Sequence, residues 1–302
     1  MISLKGVIER VSEDRIRQHI RALEGIRHPI ANPLGLEAAA RYITGIFRQL
    51  GYDLSRHTFF EDGVEYENII PSRKGARLPD ERVIVLAHYD SEEATPGADD
   101  NASAVAVMLE LAMMLQPFTF ARTIQFIAVT LEESKHHSQG HSTIARGSSA
   151  LAAEARAREW NITGVIDLEM VAYAGDDVPQ SAPSGMPFPL PSMGNFIGVV
   201  GNARSAQMVE LFVNVIQQEK IPLPVVPLVV PGNGEILPDT RRSDHAPFWD
   251  RGYQAIMITD TSNFRNPYYH QPGDTLETLN IPFAANVGRA TLALIAALAE
   301  LP

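Results

Sequence analysis

Short runs of wholly apolar residues recur along this chain between segments with helical spacing, and each run ends near a His, Asp or Glu. Val83-Ile84-Val85-Leu86-Ala87 is the clearest run, too brief for a buried helix and suited to a strand covered on both faces. Residues 123–130, 162–173, 223–230 and 255–259 read the same way. Between them fall helix-like stretches at 103–115, 142–158, 203–219 and 282–301, with a short helical turn at 246–249. Such alternation predicts an α/β fold with a mixed, mostly parallel central β-sheet sandwiched between α-helices.

The first fifty residues carry two further helices. Ser12, followed by Glu13 and Asp14, suits a helix start, and Ile16, Ile20 and Leu23 then repeat at helical spacing. A second helix runs from about Gly35 to Leu50, with Leu36, Ile43, Phe47 and Leu50 on one side and Gly51 as its stop. Together they form a helical cover. Prolines crowd residues 176–191, but strand-like and helix-like segments continue on both sides. That pattern reads as an excursion over one domain, 1–302, rather than an interdomain linker.

Composition narrows the chemistry. Lys and Arg total 25 against 36 Asp and Glu, a net charge of −11, which disfavours nucleic acid as a partner. Cysteine is absent, so a zinc site must be built from His, Asp and Glu. Apolar runs such as 102–109 fall short of the ~20 residues that span a bilayer, so no membrane partner is expected. No signal-peptide pattern opens the chain. A cytoplasmic protein is therefore expected, with a secreted mature form as the alternative.

The strand ends carry the candidate chemistry, since α/β proteins place their sites there. His88 directly follows the run at 83–87, and Asp90 is close enough to hydrogen-bond a metal-bound imidazole. In the turn Pro96-Gly97-Ala98-Asp99-Asp100-Asn101-Ala102-Ser103, Asp100 is assigned to metal, and Asn101 or Ser103, with Asp99, to helix capping. Glu132-Glu133 follows the strand at 123–130. Adjacent carboxylates there are costly unless something positive neutralises them, so one is read as a ligand and the other as a proton acceptor. Asp167 and Glu169 share a strand face; Glu169, nearer the carboxyl end, is preferred as the ligand and Asp167 is the substitute. His270 sits in a loop pinned by Pro267 and Pro272. The string 243–248 is read as a wall of the site, and the His136, His137 and His141 group as a solvated loop.

Taken in order, these motifs resemble the family of dizinc aminopeptidases that includes glutaminyl cyclases, glutamate carboxypeptidases and the transferrin-receptor ectodomain. The matching strings are His88-Tyr89-Asp90-Ser91, 96–103, Glu132-Glu133, Leu168-Glu169-Met170-Val171, 243–248 and 269–275. The resemblance implies a zinc-exopeptidase-like sheet and two zinc ions per chain, with manganese or cobalt as substitutes. It places His88 and Glu169 on one ion and Glu133 and His270 on the other, with Asp100 bridging. Glu132 becomes the general base, Asp90 orients His88, and Tyr269 donates to the developing oxyanion. This chain differs from many members in having Glu169 for Asp, Ala104 for Gly, and a longer segment after Glu133.

The implied activity is hydrolysis of N-terminal peptide bonds in peptide or aminoacyl substrates. A single-zinc glutaminyl cyclase is the rival, disfavoured by Tyr269 where that branch generally has Trp. An inactive binding module of the same fold is the third reading, and it predicts eroded ligands.

Overall fold

Alternate residues of the run at 83–87 serve two different cores. Val83, Val85 and Ala87 join one apolar cluster and Ile84 and Leu86 another, on opposite faces of a sheet. All five are fully buried, as a strand covered on both faces requires.

The computed structural model describes residues 4–133 and 145–301. Three helices open the chain, α1 (Leu4–Ile8), α2 (Glu13–Leu23) and α3 (Pro33–Gln49), followed by strands β1 (Asp53–Glu61) and β2 (Val64–Arg73). Next come β3 (Leu78–His88), α4 (Ala104–Leu115), β4 (Arg122–Val129), α5 (Arg146–Ala157) and β5 (Asn161–Glu169). The remainder is β6 (Ile197–Asn202), α6 (Ala206–Gln218), β7 (Val225–Val230), α7 (Ala246–Asp250), β8 (Ala255–Thr259) and α8 (Ile281–Leu298). The strands form one mixed sheet in the order β1-β2-β4-β3-β5-β8-β6-β7.

Neighbours β4, β3, β5 and β8 are all parallel. The hairpin β1–β2 adds antiparallel at one side, and β6 runs antiparallel to β8 at the other. From β3 the chain crosses α4 to β4 on one side, then returns to β5 on the other side of β3. A crevice opens where strand order reverses in this way, at the carboxyl ends of the strands. His88 ends β3 at that point, opposite Val129 of β4.

Helix α2 begins as its sequence predicts, with the Ser12 hydroxyl accepting from Arg15 N at 3.3 Å. Its side chains Ile16 and Ile20, with Ile43 and Phe47 of α3, enter the first core. Glu110 lies fully buried in the otherwise apolar α4. Two nitrogens of Arg15 donate to it at 2.7 Å, and Ser12 N donates at 2.8 Å, so the buried charge is paired.

Two expectations need correcting. The strand expected over 162–173 stops at Glu169, because Met170 takes a left-handed φ of 46°. The capping expected of Asn101 and Ser103 is also absent, as no side chain caps α4. Instead Asn101 donates to Leu168 O (2.9 Å) and accepts from Met170 N (2.9 Å), while the Ser103 hydroxyl accepts from Val171 N (3.1 Å). Past Asp167, the last residue of β5 paired with β3, these backbone groups would otherwise be buried unpaired. The polar turn stitches them down.

Candidate metal centre

Three strand ends and two loops deliver the expected side chains to one place. His88 ends β3, Glu132 and Glu133 follow β4, Glu169 ends β5, and His270 lies in the loop after β8. Asp100 comes from the turn before α4, and its peptide bond to Asn101 is cis. His88 Nε2 lies 3.3 Å from Asp100 Oδ1 and 3.4 Å from Glu169 Oε2. His270 Nε2 lies 3.3 Å from Asp100 Oδ2 and 3.4 Å from Glu133 Oε2. The two oxygens of Asp100 thus face two different His–Glu pairs.

The donor set fits a cation. His88 Nε2, His270 Nε2, Asp100 Oδ1 and Glu133 Oε1 are all buried without a hydrogen-bond partner. Buried polar atoms are rarely left so, and four around one cavity point to a missing positive partner. Two ligand atoms each about 2.0–2.1 Å from a tetrahedral zinc ion would lie about 3.3–3.4 Å apart, matching the separations found. His88, Asp100 and Glu169 form one group able to hold an ion, His88, Glu132 and Glu133 a second, and Glu92, Glu133 and His270 a third.

Electrostatics agree. Burial opposes a charged His88, but Glu169, Asp100 and Asp90 outweigh it and hold its pKa well above the usual range. Burial likewise opposes a charged His270, yet Glu133 and Asp100 raise it to about 11. Burial, with Asp100 nearby, pushes Glu133 up to about 8 against the pull of His270. Glu132 is driven well above the carboxylate range by burial, reinforced by Glu133, Glu169 and Asp244 and opposed by His88. Asp100 is also buried but lies between the two imidazoles, and its pKa falls. Carboxylates outnumber cations here, and a bound cation would relieve the excess.

Surrounding residues fix the cluster. Asp90 lies 3.5 Å from His88 Nδ1 and accepts the backbone N–H of Glu132 (3.4 Å) and Glu133 (3.1 Å), tying β3 to the end of β4. Asp167 turns away to accept from His245 N and Nδ1 at 3.0 and 3.1 Å, which leaves Glu169 as the carboxylate of β5 in the cluster. Ser243 donates to Glu169 Oε2 at 2.7 Å. The string 243–248 thus sits behind Glu169 as expected. The His136, His137 and His141 group lies outside the described residues.

Two participants carried no role in the sequence reading. Asp274 accepts the backbone N–H of Asp99 (2.8 Å) and Asp100 (3.1 Å), clamping the turn that carries the shared carboxylate. It belongs to the same string as His270, which was the available signal. Arg242 donates to the Tyr269 hydroxyl at 2.9 Å, and the Tyr269 ring stacks on His270 at 3.7 Å. Arg242 directly precedes Ser243, but an arginine beside a polar string gives no sign of a partner so far along the chain.

An apolar cleft, open to solvent, adjoins Glu169. Gly198, Val200, Leu228 and Met257 line it from the sheet, and Pro183, Met186 and Leu190 of the proline-rich excursion line it from above. Arg265 anchors the excursion. It donates to Gly194 O and Phe196 O at 3.2 and 2.8 Å and to Gln180 Oε1 at 2.8 Å, holding the excursion at its base.

Residues 68–295 match the model of peptidase family M28. The chain belongs to peptidase family M28. Among curated relatives, protein YfbL of Escherichia coli (strain K12) is 31% identical over 316 residues, covering 97% of this chain and 90% of that protein. A probable zinc metalloprotease of Pyrenophora teres f. teres (strain 0-1) is 24% identical over 349 residues, covering 99% and 69%. Solved structures of like fold include a Macrostomum lignano glutaminyl cyclase, with TM-score 0.77, 18% identity and coverage of 99% and 93%. Another is an aminopeptidase from Aneurinibacillus sp. strain AM-1, with TM-score 0.72, 15% identity and coverage of 99% and 97%. At such identities the likeness is one of fold. M28 membership, with relatives described as zinc metalloproteases, makes this chain a metallopeptidase of the hydrolase class.

Proposed function

We propose that this M28 protein is an aminopeptidase with a two-ion centre. His88 and Glu169 would hold one ion, Glu133 and His270 the other, and Asp100 would lie between them. The observation that carries this reading is the division of Asp100, one oxygen 3.3 Å from each imidazole. Zinc is the ion favoured by the donor set and by the relatives, although His and carboxylates also accept manganese and cobalt. When bound, such ions polarise a carbonyl oxygen and lower the pKa of water from 15.7 toward about 7.

The chain's own residues supply the rest. Glu132 borders the cluster, is half-buried, and has no place in either Asp100-centred pair. Its carboxylate would take the proton of the attacking water and return it to the leaving amine. Tyr269, held by Arg242, would face the oxygen that becomes negative as the carbonyl is attacked. The free amine of the substrate would meet the surplus carboxylates. The apolar cleft beside Glu169 would take the first side chain, with water excluded by the excursion above it.

A panel of aminoacyl chromogenic amides, assayed with and without chelator and after zinc readdition, tests the reading. Cleavage that chelator abolishes and zinc restores is expected. No cleavage of any amide by the zinc-loaded protein would reject it. The likeness in fold to a glutaminyl cyclase keeps one rival in view. A Gln-initiated peptide separates the two, since cyclisation releases ammonia and hydrolysis releases free glutamine.

A further inference from the structure

Both imidazoles of the cluster point Nε2 inward, and each has a carboxylate on its Nδ1 side. For His88 that carboxylate is Asp90, at 3.5 Å. For His270 it is Glu92, whose Oε1 lies 3.9 Å from Nδ1. Both come from one short segment, Asp90-Ser91-Glu92, directly after β3. The sequence motifs give Asp90 a role and Glu92 none.

This segment is firmly seated. Ser91 N donates to Arg27 O at 3.1 Å, and Arg27 N donates back to the Ser91 hydroxyl at 2.9 Å. The buried Arg27 guanidinium then donates to the carbonyls of Tyr89, Pro96 and Gly97, at 2.9, 2.7 and 2.9 Å. Both ends of the loop are thereby tied to the end of α2. The Glu92 carbonyl accepts from Thr95 N at 3.2 Å, and the residue as a whole is buried. Its carboxylate therefore has a defined place rather than a solvated one.

His270 needs such a partner more than His88 does. The His88 side chain is 1% exposed and fixed at a strand end, whereas that of His270 is 25% exposed and sits on a loop at φ 57°. A ligating imidazole presents one nitrogen to the metal, and the group its other nitrogen donates to fixes the tautomer and the ring orientation. With Nε2 turned toward Asp100 and Glu133, Nδ1 has the Glu92 carboxylate 3.9 Å away, close enough for a small turn of the ring to bring them into hydrogen-bond contact.

We propose that Glu92 is a positioning carboxylate for His270. It accepts from Nδ1–H, keeps the Nε2 lone pair directed at the cluster, and so sets the affinity of the ion on the His270 side. This inference rests on the two-ion reading of the site. Glu92, Glu133 and His270 lie close enough together to share an ion directly, but Glu92 faces the ring nitrogen turned away from Asp100, which favours positioning over ligation.

The test is zinc titration of chelator-stripped protein against a chromophoric competitor, for wild type, Glu92→Ala, Glu92→Gln, His270→Ala and the Glu92→Ala/His270→Ala double variant. Glu92→Ala is expected to weaken one of the two ions by about 10–100-fold and leave the other unchanged, with the ion-free Tm unaltered. Glu92→Gln, which still accepts a hydrogen bond, should fall in between. Once His270 is gone, removing Glu92 should change nothing further. Wild-type affinity in Glu92→Ala overturns the proposal. So does an undiminished effect in the His270→Ala background, or equal weakening of both ions with a lower ion-free Tm. A wild type that takes up no zinc at all overturns the two-ion reading itself, a result distinct from these.

Discussion

Three residues beside or within the cluster carry a backbone conformation that side chains disfavour. Leu131, just before Glu132, has φ 56°, Met170, just after Glu169, has φ 46°, and His270 itself has φ 57°. Each costs on the order of 1–3 kcal/mol, and such positions collect where a site demands a direction the regular element would not give. At β4 the kink directly precedes Glu132 and Glu133, two adjacent side chains to which the proposed mechanism gives different tasks. Glu132→Gln tests that division: zinc content should stay at the wild-type level while kcat falls by at least ~10². Near-normal turnover would remove Glu132 from the role of base. A second residue-scale prediction concerns His19, whose Nε2 is buried without a partner while Nδ1 lies 2.7 Å from the Tyr42 hydroxyl. Burial lowers its pKa below 6.5, with Glu110 opposing the shift only in part. The unfolded chain thus binds more protons than the native state between the lowered value and about 6.5. Stability from the neutral ring is complete above about pH 6.5 and is lost as pH falls through that window. Urea midpoints of chelator-stripped protein should therefore fall less steeply with acid in His19→Gln than in wild type. Parallel curves would show that His19 carries no such linkage.

At the scale of elements, what the sequence reveals depends on how an element is buried. β8 and the inner part of β3, residues 83–87, are almost wholly apolar and were legible, because two covering layers leave no polar position to confuse the pattern, whereas the outer part of β3, with Asp80, Glu81 and Arg82, was not. The hairpin β1–β2 was missed, since its outer strand is half exposed and mixes His, Arg and Phe. Its turn did carry a signal: Asp62 and Gly63 both take positive φ, as an Asp-Gly hairpin turn requires. β6 was missed for another reason. Gly198 and Gly201 make it look like a loop, whereas a Cβ on Gly201 would sit 2.6 Å from Val209 of α6, so glycine there is a condition of helix–sheet contact. Gly147 at the start of α5 is tighter still, with an added Cβ 2.2 Å from the Thr130 carbonyl oxygen. Asn68 joins the same junction, donating to Gly147 O at 2.8 Å and accepting from Thr130 N at 3.1 Å. Gly147→Ala must push α5 off the end of β4, an overpacking cost of about 1–3 kcal/mol. Glu132 and Glu133 hang from that strand end, so zinc affinity should fall along with the urea midpoint. Lost stability at unchanged affinity would show that the strand end does not transmit the strain.

For the whole molecule, one sheet and its shared cores favour reading residues 1–302 as a single domain, with α2, α3 and α8 contributing to the same apolar cluster. Among the described residues α8 is the one helix long and apolar enough to cross a membrane, but 67% of it is buried inside the fold, as a core helix would be. The chain's net charge of −11 has a local counterpart in the site, where Asp90, Asp100, Glu132, Glu133 and Glu169 gather around His88 and His270. Without ions, that cavity must take up protons to remain tolerable, as the rise of Glu133 to about 8 and of His270 to about 11 records. Three strand ends and two loops converge there, so relief of that strain is felt by the fold and not by the site alone. Ions that bind the native state and not the unfolded chain stabilise it by about 2.7 kcal/mol at a free concentration 100 times Kd. Calorimetry should accordingly show Tm falling when a chelator strips the protein and returning when zinc is restored, with the rise growing as free zinc increases. Calcium, which prefers more oxygen ligands than this cluster offers, should restore less. A Tm indifferent to both chelator and zinc would mean that the converging side chains hold no ion in solution, and the proposed chemistry would have nothing to rest on.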